Sequence, residues 1–140
     1  MLDWKLFAIG SAFFAGLTAV LAKVGVKDIS SNLATLIRTI VIIVFLCLLV
    51  GIRQEWKNPW LLNRKCLVFL VFSGITTGLS WLCYYRALQN GPASIVAPID
   101  KLSLAVAIIL SVVFLGEHLS LYQWLGVGLI VSGTFIVILK

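Results

Sequence analysis

A chain of 140 residues that is 61% hydrophobic and 11% charged, with a mean hydropathy of +1.12, lies far from the roughly half-apolar average of soluble domains and reads as an integral membrane protein. Eleven Lys and Arg against five Asp and Glu give a net charge of +6, but these cations gather at the ends of apolar stretches, as juxtamembrane residues do, which argues against nucleic acid as a partner. The three cysteines, Cys47, Cys66 and Cys83, form no CxxC pair, so neither a disulfide framework nor a zinc site is indicated, and they read as packing residues.

A hydrocarbon core of about 30 Å takes about 20 helical residues to cross, and the sequence offers five such stretches: 4–22, 32–52, 66–88, 93–115 and 121–139. The expected fold is therefore an all-α bundle of five transmembrane helices, with residues 1–140 as one domain. In the first stretch Ala8, Ala12, Ala15, Gly16 and Ala19 form a small-residue face ending in Lys23, suited to helix packing. Its Ala19-Val-Leu-Ala22 loosely mimics a signal-peptide cleavage site. Asp3 offsets Lys5 in the leader, however, and four more spans follow, so a retained helix is expected.

On the second stretch Arg38 shares a face with Thr35 and Thr39 and lies about six residues inside the span, where snorkelling of its long stem accounts for it. A role with substrate or in gating is the alternative. The third stretch carries Gly74, Thr77, Gly78, Trp81 and Tyr85 on one face. Gly74 and Gly78 have the GxxxG spacing that permits close helix approach. Trp4, Trp56, Trp60 and Trp124 map near one interface as an aromatic belt does, whereas Trp81 lies well inside its span, where its indole N–H needs a partner. With Tyr85 one turn on, it forms either the wall of a substrate cavity or an ordinary packing pair. The stretch closes on Asn90-Gly91-Pro92, a helix-stopping Gly followed by a Pro suited to the first turn of the next helix.

The fourth stretch is the most informative. Asp100 and Lys101 stand about seven residues inside it, where an ionisable group costs from about 2.5 to more than 10 kcal/mol depending on the scale. A period of 3.6 places Ala93, Ala97, Asp100, Ser103, Ala107 and Ser111 near one stripe, a small and polar face suited to lining a cavity. Lys101 lies about 100° round the helix, outside the usual i to i+4 pairing, so the two charges are expected to meet different partners. Pro98 has no N–H, which frees the carbonyl of Ser94 and predicts a helix break just before the charged pair, tolerable at membrane depth where it lines water or is packed in protein. Asp100 then carries a proton or receives a cationic group, and Lys101 faces an anionic substrate or a structural carboxylate. The alternative is an interhelical ion pair, or a snorkelling Lys101, that serves the bundle alone.

Before the fifth stretch, Glu117-His118 is not a metal site, since the chain has no second His, and no cofactor is indicated. Ser120-Leu-Tyr-Gln123 has capping-box spacing. Within the span, Gly126, Gly128, Ser132 and Gly133 suit a tight helix contact, either inside the chain or as a dimer seam. Alternation of spans puts Lys5, Arg53, Lys57, Arg64 and Lys65 on one side and Lys23, Lys27, Arg38, Arg86 and Lys140 on the other. The positive-inside bias is almost nil. One fixed orientation and insertion in both orientations are thus both open, and the second would let an antiparallel homodimer reproduce the inverted halves of many transporters.

The run Ala87-Leu-Gln-Asn-Gly-Pro-Ala-Ser-Ile-Val-Ala-Pro98, then Phe114-Leu-Gly-Glu117 and Gln123-Trp-Leu-Gly126-Val-Gly-Leu-Ile-Val-Ser-Gly133, resembles the EamA-like repeat of the drug/metabolite transporter superfamily, most densely over residues 84–135. Most members carry two such repeats, whereas this sequence has one, and the resemblance implies pairing of two chains. The Gly126–Gly133 segment also resembles the last-helix dimer seam of the small multidrug resistance proteins. Their carboxylate on the first helix has no counterpart here, so Asp100 as its substitute rests on the residues alone. The resemblance implies a secondary transporter, working as an exporter of a small metabolite, amino acid or organic cation by alternating access in a bacterial or archaeal plasma membrane. The competing expectation is an accessory subunit that needs a different partner chain; an enzyme is not expected, for no nucleophile–base or metal constellation appears.

Overall fold

The computed structural model of the chain describes residues 4–58 and 63–139; Asp3, Trp60 and Lys140, which enter the readings above, lie outside the described residues. Six helices follow one another: α1 (Trp4–Gly25), α2 (Ser31–Ile52), α3 (Arg64–Asn90), α4 (Ala93–Asp100), α5 (Leu102–Leu115) and α6 (Leu121–Ile138). No strand occurs among the described residues. With α4 and α5 counted as one interrupted span, five spans are long and apolar enough to cross a membrane, so this is an all-α, multi-pass membrane protein. The ends found in the structure depart from the hydropathy limits by three residues at most, at the end of α1.

Local chemistry sets those ends. Ser30 caps α2 by accepting the N–H of Leu33. Ser120 and Gln123 form the full capping box at α6, which relieves the unpaired donors of a first turn. Pro92 occupies the N-cap of α4 with an extended backbone rather than its first turn; there its carbonyl receives the N–H groups of Ile95 and Val96, and its own missing donor costs nothing. Gly116 closes α5 in the left-handed region at φ 67, which glycine enters without a Cβ penalty. At the end of α2, Gln54 adopts φ 53, while its N–H reaches Gly51 O and that of Glu55 reaches Val50 O, the bonding of a Schellman motif.

The chain divides into two compact units, Met1–Leu21 with Gly91–Lys140, and Ala22–Asn90. In the second unit α2 packs on α3, and Leu88 and Val26 are its most deeply buried side chains at 0% and 2% exposure. The Nζ of Lys23 donates to the carbonyl of Leu88, and Gln89 donates its amide to the carbonyls of Val26 and Ile29, so the last turn of α3 is tied to the turn before α2. In the first unit α4 and α5 pack on α6. Most Leu, Ile, Val and Phe side chains stay exposed, as helices in lipid allow, since hydrocarbon is as good a neighbour for them as another helix.

Candidate functional site

Arg38, Trp81 and Tyr85 come together in the second unit. The Arg38 guanidinium carbon lies 4.2 Å from the centre of the Trp81 ring and 5.7 Å from that of Tyr85, and its Nη1 donates to the Tyr85 hydroxyl at 3.4 Å. Tyr85 itself is buried and meets Tyr84 edge-on. A cation over an aromatic face is attracted by the ring quadrupole, more strongly where water is scarce. This grip holds Arg38 against neighbouring α3. Trp81 engages through its ring face rather than the expected indole N–H. Thr35 and Thr39, on the same side of α2, donate their hydroxyls to the carbonyls of Ser31 and Thr35. Nearby, a cavity of about 440 Å³ is lined by Ser30, Ser31, Asn32, Leu82, Cys83 and Arg86.

Asp100, Lys101, Ser103 and Pro98 belong to the first unit. The Lys101 Nζ stands 3.4 Å from Asp100 Oδ2, with the two side chains 49% and 34% exposed. The charges therefore meet each other, not different partners: the four-carbon stem of Lys101 is long enough to fold back to the preceding carboxylate, and opposite charges outside bulk water attract strongly. The break also differs in place. Pro98 is accommodated inside α4, and the interruption falls at Lys101, where Lys101 N–H bonds to Pro98 O and Leu104 N–H to Lys101 O, each at 3.0 Å. Both are three-residue closures, tighter than the α-helical ladder.

Thr134 on α6, a residue without a sequence signal of its own, is buried at 5% exposure and points its hydroxyl at Pro98 O, 3.5 Å away, while bonding Ile130 O at 2.9 Å. The small polar stripe is thus cut in two: Ala93, Ala97 and Asp100 on α4, then Ser103, Ala107 and Ser111 on α5. Ser103 is exposed and Ser111 bonds its own helix at Ile108 O.

Among the described residues, the glycines expected to pack helices have no neighbouring atom at the position a side chain would take. A Cβ placed at Gly74, Gly78, Gly126, Gly128 or Gly133 would meet no atom within 4 Å, and Ser132 is exposed and bonds Leu129 O of its own helix. The three cysteines are likewise exposed free thiols, not packing residues.

Comparison with known proteins agrees with the helical plan. The model of the EamA-like transporter family matches residues 3–139. The chain is 48% identical over 134 residues, 96% of its length and 95% of the relative's, to an uncharacterized transporter in cobO 3'region of Sinorhizobium sp. It is 34% identical over 90 residues, 64% of each chain, to an uncharacterized protein of Methanocaldococcus jannaschii. It is 29% identical over 83 residues, 59% of this chain and 65% of the relative, to a probable 4-amino-4-deoxy-L-arabinose-phosphoundecaprenol flippase subunit of Aeromonas hydrophila. No solved structure matches.

Proposed function

The chain belongs to the EamA-like transporter family, and from that premise we propose that it is a secondary active transporter, an exporter of a small metabolite, amino acid or organic cation that works by alternating access in a bacterial or archaeal plasma membrane. One observation carries the reading: a carboxylate and an ammonium paired at 3.4 Å across the interruption of a membrane-length helix. Such charges at membrane depth are costly and mark ion or substrate pathways. Protonation of Asp100 removes the attraction that holds Lys101, and the short i to i−3 bonds around Lys101 give the segment a place to bend. Proton uptake and helix movement are thereby coupled. Two copies of the chain enclose the substrate path in this reading, and the uncovered glycine faces of α3 and α6 supply surfaces on which helices can close.

Reconstituting the pure protein in proteoliposomes tests it. Asp100→Asn is expected to abolish proton-driven flux while leaving helicity and unfolding temperature near those of the parent; unchanged flux would remove the coupling role. A second reading is favoured by the relative named as a flippase subunit: an accessory chain that moves its substrate, there a lipid-linked sugar, only with a different partner. Flux from the pure protein rejects that reading, and flux that returns only on co-reconstitution with a second gene product supports it.

A further inference from the structure

We infer that Arg38, clamped by Trp81 and Tyr85, is the binding site for an oxyanion, a carboxylate or phosphate group carried by the substrate. This rests on the transporter reading and narrows it to anionic or zwitterionic cargo. The placement is the first ground. Arg38 is the eighth residue of α2, about 10 Å inside the helix at 1.5 Å per residue, and is half-buried. Cationic side chains inside spans are ordinarily paired with carboxylates or backbone carbonyls. Within its own unit, Ala22–Asn90, no described carboxylate is paired with Arg38, since the ion pair found, Lys101 with Asp100, belongs to the other unit, and Arg38 donates to no backbone carbonyl there.

The second ground is the donor inventory. A guanidinium has five N–H groups in a rigid planar fork, and the Tyr85 hydroxyl takes a single long bond at 3.4 Å. The remaining donors are unspent within this unit. Trp81 and Tyr85 fix the position of the group by ring contacts, which hold a cation without using up its N–H edges. A fixed fork with open edges is the geometry that receives a carboxylate or phosphate in two parallel bonds. The positive charge, which has no anion in its own unit, is then compensated when the substrate arrives, which makes binding and charge balance one event.

The test is ligand binding by the full chain in nanodiscs of phosphatidylcholine, with no ion gradient, using inorganic phosphate as the solute probe and phosphatidylglycerol added to the bilayer as the headgroup probe. A variant carrying Trp4→Phe, Trp56→Phe, Trp60→Phe and Trp124→Phe reports Trp81 fluorescence alone; thermal unfolding of the parent chain serves if that variant fails to fold. Saturable response to phosphate identifies a solute oxyanion, and response to phosphatidylglycerol alone identifies a lipid headgroup. In either case Arg38→Gln is expected to abolish the response. Arg38→Lys, which keeps the charge but loses the fork, should weaken it roughly tenfold, and Tyr85→Phe should weaken it less. No response to either probe, or an equal response in Arg38→Gln, overturns the site. Arg38-dependent binding without proton-driven flux would refute the proton-coupled transporter reading and leave the site standing.

Discussion

Gln54 holds a backbone conformation that its side chain disfavours. Its φ of 53 lies in the left-handed region, where an L-residue pays roughly 1–2 kcal/mol, and it is held there by the two Schellman bonds to Gly51 and Val50. That turn also brings Trp56 back to the helix, for a Cβ at Gly51 would stand 3.6 Å from its indole nitrogen. Gln54→Gly removes the steric cost and adds backbone entropy to the unfolded chain, so a net stabilisation of about 0.5–1 kcal/mol is expected, read as a higher unfolding temperature in detergent at unchanged helicity. A lower temperature would mean that the Gln54 side chain makes a contact worth more than the strain. At this scale the sequence was an uneven guide. Arg38, Trp81 and Tyr85 were each conspicuous as polar or amphipathic groups inside spans, and counting from the shared end of α2 and α3 puts them at similar depth. What the count lacks is rotation: which faces of two antiparallel helices meet is a property of packing, so the contact of Arg38 with the Trp81 ring could not be read from spacing.

Between Ala93 and Leu115 a single element carries the two features that matter, a proline and an ion pair. Pro98→Ala restores the N–H that the carbonyl of Ser94 lacks and relieves the ring's clash with the preceding turn, which in a helix interior is worth up to about 3 kcal/mol. If the interruption at Lys101 is where the span bends during transport, the same change should slow flux by something like tenfold, because hinge positions govern the conformational step. The expected result is thus a protein that is harder to unfold and poorer at transport, measured as unfolding temperature and initial flux in the same preparation. Greater stability with undiminished flux would make the break purely structural. Helix limits were legible because lipid imposes a length and capping residues impose ends: Ser120 and Gln123 behave as their spacing foretold, and the apolar stretches end within three residues of the helices. The exact site of the break was not, since a proline states where a donor is missing but not where the ladder gives way. Here it gave way three residues later, with Thr134 from α6 turned toward the Pro98 carbonyl.

For the molecule as a whole, the decisive quantity is the near balance of charge between its two ends. Five spans that cross in turn would put the α2–α3 and α5–α6 connections on one side of the membrane and the α1–α2 and α3–α4 connections on the other. Lys5, Arg53, Lys57, Arg64 and Lys65 on one side then face Lys23, Lys27, Arg86 and Lys140 on the other, with Arg38 inside its span. Orientation follows the excess of Lys and Arg near span ends, and with almost no excess the chain is expected to insert both ways, which is what two copies need to form inverted halves around one substrate path. The measurement is the labelling of His118→Cys, in the connection after α5, with an impermeant maleimide on sealed vesicles, in a chain whose three native cysteines are replaced by alanine. About half of the molecules should react from each side when the bias is nil; reaction from one side alone would refute the inverted pair. A second substitution makes the outcome depend on charge and nothing else. Glu117→Lys adds a cation to the side that holds Arg53 and Arg64, without touching a span, and should drive the population toward that side facing the cytoplasm, with a matching loss of flux if transport requires both orientations.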